Sequence, residues 1–232
     1  MELRDGFIVG VHNYCDRWCE RCAFTSYCRV FAAAAEMDAS FDPNLKAIVE
    51  APPLERPQPA MPAWMHEMTA DDAASTMSDE EWERYRPRIL PEHQPVDARA
   101  TTYATRLGEW LKAHDGARPW TTDPQCAEIV WFSTVIAMKI NRALNVMPDD
   151  DESEQAWSSD QNGSAKVALI AIERSHAAWR DLVECAVTSP DEAQPFVADL
   201  AWLHEALERV RPNARRFVRP GFDEPDEVAR LC

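Results

Sequence analysis

Four cysteines, Cys15, Cys19, Cys22 and Cys28, crowd into a stretch of fourteen residues. Thiolates ligate soft and borderline metals, and close spacing of this kind is a ligand pattern rather than a disulfide framework. The chain holds seven cysteines, an odd number, which points the same way. Two occupants suit a four-thiolate set: Zn2+ in a tight tetrahedron, or a 4Fe-4S iron–sulfur cluster. His12 is an alternative fourth ligand, although a histidine in this setting more often hydrogen-bonds to its neighbours.

Cys15, Cys19 and Cys22 stand at i, i+4 and i+7, so a helix would set them on one face. Cys28 follows Cys22 by about 240° of helical rotation, and Thr25 or Ser26 must end one turn and start another to bring it back. Helical neighbours begin ~5–6 Å apart at Cβ, wide for the ~2.3 Å Zn–S bonds of a single ion. That separation favours the cluster over zinc, and Arg17, Arg21 and Arg29 would offset its negative charge. The segment stands near the start of the chain, where a redox partner has short access to it.

The spacing Cys19-x2-Cys22-x5-Cys28, with Cys15 upstream, resembles the cluster motif of WhiB-like iron–sulfur regulators over about fourteen residues. The resemblance implies cluster ligation by these four cysteines. The Gly-Trp-Gly-Gly type of turn found downstream in that family has no counterpart here, so a transcriptional role is not carried over. Cys15-x3-Cys19-x2-Cys22 is also similar to the radical SAM signature, but Arg21 stands where that family has an aromatic or apolar residue. A chain without β/α alternation cannot supply that family's barrel either. The run Asn13-Tyr-Cys-Asp-Arg-Trp-Cys-Glu-Arg-Cys22 resembles the opening of a group of uncharacterised bacterial proteins, which implies kinship and no function.

A second set of residues has the types used by di-iron carboxylate bundles. Glu173-x-x-His176 is an E-x-x-H motif, and Glu128, His204 and Glu208 lie on other helical segments. Such bundles use two E-x-x-H motifs, and this chain supplies one. The plainer expectation is that Glu173 and His176 meet arginine or hydroxyl partners, and that His204 and Glu208 form a helix-surface pair. Cys126 and Cys185 read as small buried residues, Cys232 as a frayed end. Met61, Met65 and Met68 with Trp64 read as packing rather than a copper site.

The elements that must position these residues read as mainly α. Four segments carry helical periodicity, at about 98–114, 124–146, 164–187 and 195–211. Their apolar stripes are Tyr103, Leu107, Trp110 and Leu111; Ile129, Phe132, Ile136 and Ile140; Ala168, Ile172, Trp179 and Val183, with Leu182 alongside; and Phe196, Leu200, Leu203, Leu207 and Val210. Together they predict a four-helix-bundle-like domain over 98–212. The acidic, polar stretch 148–163 reads as a loop. Residues 1–40 form a cysteine-rich metal-binding segment with a helix from Val30 to Met37. Residues 41–97, with nine of the seventeen prolines, form a Pro-rich strap with short helices near 42–52 and 78–87. Residues 213–232 read as a C-terminal tail.

Composition excludes several classes. Apolar residues make up 46% of the chain and nine tryptophans are present, enough for a sizeable core, yet no apolar run reaches membrane-spanning length. Six widely separated glycines leave no phosphate-cradling loop, and no G-x-S-x-G elbow occurs. A formal net charge of −16 argues against nucleic acid as a partner. The exception is local: Arg209, Arg211, Arg215, Arg216 and Arg219, mirrored by Asp149, Asp150, Asp151, Glu152 and Glu154. This arginine run is expected to meet an acidic surface, either the 149–154 stretch or a protein partner. Met1-Glu-Leu-Arg lacks the basic start of a signal peptide, so the expectation is a reducing cytoplasm. The first functional reading is an iron–sulfur protein in electron transfer or redox/iron sensing, acting through a protein partner rather than as an enzyme. The alternatives are a zinc-stapled helical adaptor and a di-iron oxidoreductase.

Overall fold

The computed structural model describes residues 1–40, 88–114, 124–146 and 154–224. Five α-helices are described: α1 Arg29–Ser40, α2 Gln94–His114, α3 Pro124–Leu144, α4 Glu154–Glu184 and α5 Pro190–Val210. The chain is mainly α-helical. The chain divides into two compact units, Met1–Arg29 with Pro87–Cys232, and Val30–Arg86. Of the second unit, the residues described are those of α1. Residues 41–87 of the expected 41–97 strap, with its two expected helices and the methionine set, lie outside the described residues, as do residues 149–153 and Cys232.

In the first unit α2 packs on α3 and α5, and α4 packs on the same two helices, which closes a four-helix ring. The apolar stripes face inward because their 3.6-residue period keeps them on one side. Tyr103, Leu107, Ile129, Phe132, Ile136, Ile140, Trp179, Leu200, Leu203 and Leu207 are all fully or almost fully buried. Trp179 stacks on Phe196 at 4.6 Å between ring centroids, and Trp110 meets Trp179 edge-on at 5.1 Å. Buried Asp199 on α5 accepts from Arg99 Nε at 2.8 Å and from an Arg106 Nη at 2.6 Å, tying α5 to α2. Among the described residues no helix is long and apolar enough to cross a membrane.

Three helix boundaries differ from the sequence reading. The α2 helix starts at Gln94, following a single 3-10 turn over Pro91–His93. Pro91 and Pro95 fit there because the first turn of a helix has no use for their missing N–H groups. The α5 helix starts at Pro190: Ser189 and Glu192 form a reciprocal capping box, so Pro195 lies inside the helix rather than at its head. The α4 helix starts at Glu154, so residues 154–163 are helix and not loop. The later part of that added length is held by tertiary contacts. Asp160 accepts from Arg142 Nε and Nη2, each at 2.8 Å, and Gln161 donates to the Asn145 carbonyl.

Two short antiparallel pairs are formed: β1 Leu3–Arg4 with β2 Phe7–Ile8, and β3 Arg88–Ile89 with β4 Asn145–Val146. The segment after α5 is docked instead of free. Its 3-10 turn Ala214–Arg216 packs on α4 with Ala214 fully buried. Asp223 then accepts from Lys166 Nζ at 2.7 Å and from the Arg219 side chain.

Candidate metal centre

The cysteine segment is a chain of turns, not the α-helix that the i, i+4, i+7 spacing suggests. Its 3-10 turns cover Val11–Asn13, Cys19–Arg21 and Thr25–Tyr27. The helix is broken at Asp16, whose Oδ1 accepts the Trp18 N–H at 3.1 Å, while Arg17 takes a left-handed φ of 58°. A short acidic side chain that captures a backbone N–H two residues on favours a turn over a helix. Helical separation therefore gives no ground for choosing a cluster over a single ion.

The turns nevertheless leave the four cysteines electrostatically coupled through Cys19. Burial raises the Cys19 thiol pKa, and the neighbouring Cys15, Cys22 and Cys28 raise it further. All three therefore lie within electrostatic reach of Cys19. Two sulfurs also receive backbone N–H groups from two residues downstream: Cys22 from Phe24 at 3.4 Å, and Cys15 from Arg17. Donors in this position stabilise thiolate over thiol and hold the sulfur lone pairs in place. Burial still raises the Cys15 pKa overall, and its S–H donates to the His12 carbonyl at 3.3 Å. Among the described residues no three His, Cys, Asp or Glu side chains are grouped tightly enough to hold a metal ion as they stand. Ligation thus requires the turns to close further around an incoming group.

The segment is seated on the bundle. Trp18 stacks on Trp131 of α3 at 5.1 Å, and the Trp131 indole N–H donates to the Asp16 carbonyl at 2.8 Å. Arg21 lies 3.7 Å over the Trp18 ring and reaches Glu128 at 2.7 Å. Arg174 of α4 donates to the same Glu128 oxygen at 2.5 Å and to Asp16 at 3.4 Å. Cys22 and Cys28 pack instead on a small satellite core of Ile8, Val11 and Phe24.

Positive charge surrounds the Cys15 end. Burial lowers the His12 pKa, and Arg17, Arg142 and Lys139 lower it further, which keeps this alternative ligand neutral near pH 7. Lys139 of α3 is 5% exposed and donates to the Asn13 carbonyl at 2.6 Å. Burial brings its ammonium pKa down to about 8. Sequence reasoning passed over Lys139, Trp131 and Arg174. For Lys139 a signal existed: a lone lysine three residues past Ile136 and next to Ile140 borders the buried stripe.

The bundle carboxylates divide. Glu128 is held by Arg21 and Arg174, beside the cysteine segment. Glu173 accepts from Arg215 at 2.6 Å and meets His204 Nε2 at 3.2 Å, while Glu208 accepts from the same arginine at 2.8 Å. Glu173, His176 and His204 line a shallow groove of ≈370 Å³ between α4 and α5, with Arg180 and Glu205, over Ile172 and Leu200. Glu128 is not part of it. Arg215 thus takes up the carboxylates that a second metal site would need. Cys126 is buried as expected, whereas Cys185 is exposed, one residue beyond the end of α4.

No protein-family model matches this chain, and neither a curated protein nor a solved structure shows significant similarity to it.

Proposed function

We propose that Cys15, Cys19, Cys22 and Cys28 bind a metal centre, an iron–sulfur cluster of the 4Fe-4S type, in a cytoplasmic protein of electron transfer or redox/iron sensing. What supports this reading is the spacing of the four cysteines along the sequence, with Cys15, Cys22 and Cys28 within electrostatic reach of Cys19. The donor set is all sulfur, two of its members receive backbone N–H groups, and arginines and a lysine stand beside it. When bound, a cluster of this kind supplies one-electron transfer.

The protein's own contributions are separate from that chemistry. Asp16 and the left-handed Arg17 fold the first turn, Trp18 anchors it on Trp131, and Glu128 clamps it through Arg21 and Arg174. Cys19 is exposed, so the centre would open on a protein partner rather than on an enclosed substrate cavity. A zinc-stapled adaptor is the second reading, because turns close on a small ion more readily than one rigid helix face does.

Metal analysis of anaerobically purified protein tests the proposal. About four irons with matching sulfide per chain, a brown colour, and loss of both in a Cys22→Ser variant are expected. One equivalent of zinc in colourless protein, under the same handling, would replace the redox reading with the adaptor.

A further inference from the structure

The small core on which Cys22 and Cys28 pack is completed by a segment from far along the chain. Its buried members are Ile8, Val11 and Phe24. Phe24 faces both ways: its backbone N–H donates to Cys22 Sγ at 3.4 Å, and its ring meets the Phe222 ring edge-on at 4.7 Å. Gly221 is buried beside them with a left-handed φ of 81°. A β-carbon at Gly221 would stand 3.3 Å from Ile8 Cδ1 and 3.5 Å from Phe24 Cε1, so the backbone itself lies close against this core. Three buried side chains hold little apolar area of their own, and the cover supplied by Gly221 and Phe222 is a large share of what shields them.

One ammonium on α4 fixes that cover. Lys166 Nζ donates to the Phe217 carbonyl at 2.6 Å and to the Asp223 carboxylate at 2.7 Å. Two points of the same segment thus meet at one side chain, and the stretch between them closes into a loop that carries Gly221 and Phe222 to the cysteine side. Asp223 stiffens the loop from within by accepting from the Arg219 backbone N–H and from an Arg219 Nη, each at 2.9 Å. The Lys166 side chain is 18% exposed, so these charge-assisted bonds are little weakened by water or salt.

We infer that Lys166 and the 217–223 loop form a clasp that sets the exposure of Cys22 and Cys28. Bolted to α4, the loop seats Phe222 on Phe24 and keeps both half-buried cysteines against their core. Released, it uncovers them. Cys19 is already exposed and lies outside the clasp's control. The device therefore acts on two of the four thiols, from a helix remote in sequence, and it goes beyond the question of what those thiols bind.

The test is alkylation by iodoacetamide of the reduced, metal-free, full-length protein, with each cysteine followed by peptide mass spectrometry. Exposed Cys19 and buried Cys126 set the fast and slow limits within the same molecule. Lys166→Met keeps an apolar stem and removes the donors, whereas Phe222→Ala removes the cover and leaves the bolt. In both, Cys22 and Cys28 should react at least about tenfold faster than in the natural chain, with Cys126 still protected. Lys166→Arg, which can donate to both acceptors, should stay near the natural rates. Unchanged Cys22 and Cys28 rates in Lys166→Met, with Cys126 protected, would overturn the clasp. If Lys166→Met exposes Cys126 as well, Phe222→Ala decides, and unchanged rates there would overturn it equally. Because the protein is metal-free throughout, this outcome is independent of whether the cysteines bind iron or zinc.

Discussion

The ring of Tyr14 lies directly over Gly163, where a β-carbon on α4 would project into the ring edge. Phe217 closes the same spot, 2.9 Å from that position, and packs on Tyr14 at 4.6 Å between centroids. The residue beside the first cysteine is therefore lodged against a bare stretch of helix backbone. Glycine costs the helix roughly 1 kcal/mol relative to alanine, so Gly163→Ala would stabilise an open site. Here the added methyl must displace an aromatic ring pinned from behind, and overpacking of this sort costs about 1–3 kcal/mol. The steric term wins. Gly163→Ala should lower the urea midpoint and expose residues 1–29 to protease. The loss should shrink in a Tyr14→Ala background, and equal losses in both backgrounds would sink the explanation.

The bundle was legible because its signal is periodic. Ile129, Phe132, Ile136 and Ile140 repeat at helical spacing, and their burial follows from that spacing alone. The first ten residues of α4 were not legible. Their composition is acidic and polar, and Gly163 argues against helix until Tyr14, far away in sequence, is seen to occupy the space it leaves. The four cysteines were visible as a set, but the turn at Asp16 overrode their helical spacing. The place of Lys139 beside the Ile136 and Ile140 stripe hinted at its burial, but its partner, the Asn13 carbonyl, comes from another segment, and no local pattern encodes that contact.

Cys19→Ser or Cys22→Ser should abolish metal binding and leave the helices folded. Neither side chain belongs to the main core, which is built from α2 to α5. Metal content should fall to background while far-UV circular dichroism stays within about a tenth of the natural signal, because the hydrophobic burial that stabilises the ring is untouched. Global unfolding on loss of one ligand would mean that the ring depends on the metal.

Glu128 joins the cysteine segment to α4 by accepting from Arg21 and Arg174 at one oxygen. Its side chain is 17% exposed, while both arginines are nearer half exposed. Charge-assisted bonds contribute about 1.5–3 kcal/mol when buried and less than about 1 when exposed, so Glu128→Gln should cost about 1–2 kcal/mol. The specific readout is Trp18, whose fluorescence should become more accessible to quencher as Arg21 and the turn loosen. A stability loss without a change at Trp18 would assign Glu128 to the helices and not to the segment.

Acid should loosen the docked segment after α5. Burial alone would raise the Asp223 pKa, but hydrogen bonds from Arg219 and Lys166 outweigh it and hold the carboxyl well below its usual range. A folded-state pKa below the unfolded value means that the unfolded chain binds the proton first. The stabilisation is therefore present above about pH 4 and is lost as pH falls through the carboxylate range. Asp223→Asn should be less stable than the natural chain at pH 7, and the difference should narrow steadily toward pH 2 in urea titrations. A difference independent of pH would assign the effect to packing.

The arginine run should not bind nucleic acid. Of its five members, Arg215 is taken by Glu173 and Glu208, Arg219 by Asp223, and Arg211 donates to the Ala143 carbonyl from a half-buried position. These carboxylates are neither the 149–154 stretch nor a partner, where the acidic contact was expected, and residues 149–153 lie outside the described residues. Arg209 and Arg216 remain exposed. Two exposed cations release few counterions on meeting phosphate, and the surrounding field belongs to a chain of formal net charge −16. Binding to duplex DNA at about 0.15 M salt should therefore be weaker than about 10 μM by fluorescence anisotropy, below much non-specific binding. Submicromolar binding that disappeared in an Arg209→Ala, Arg216→Ala double variant would reverse this conclusion, because it would show that two exposed guanidinium groups outweigh the field of the whole chain.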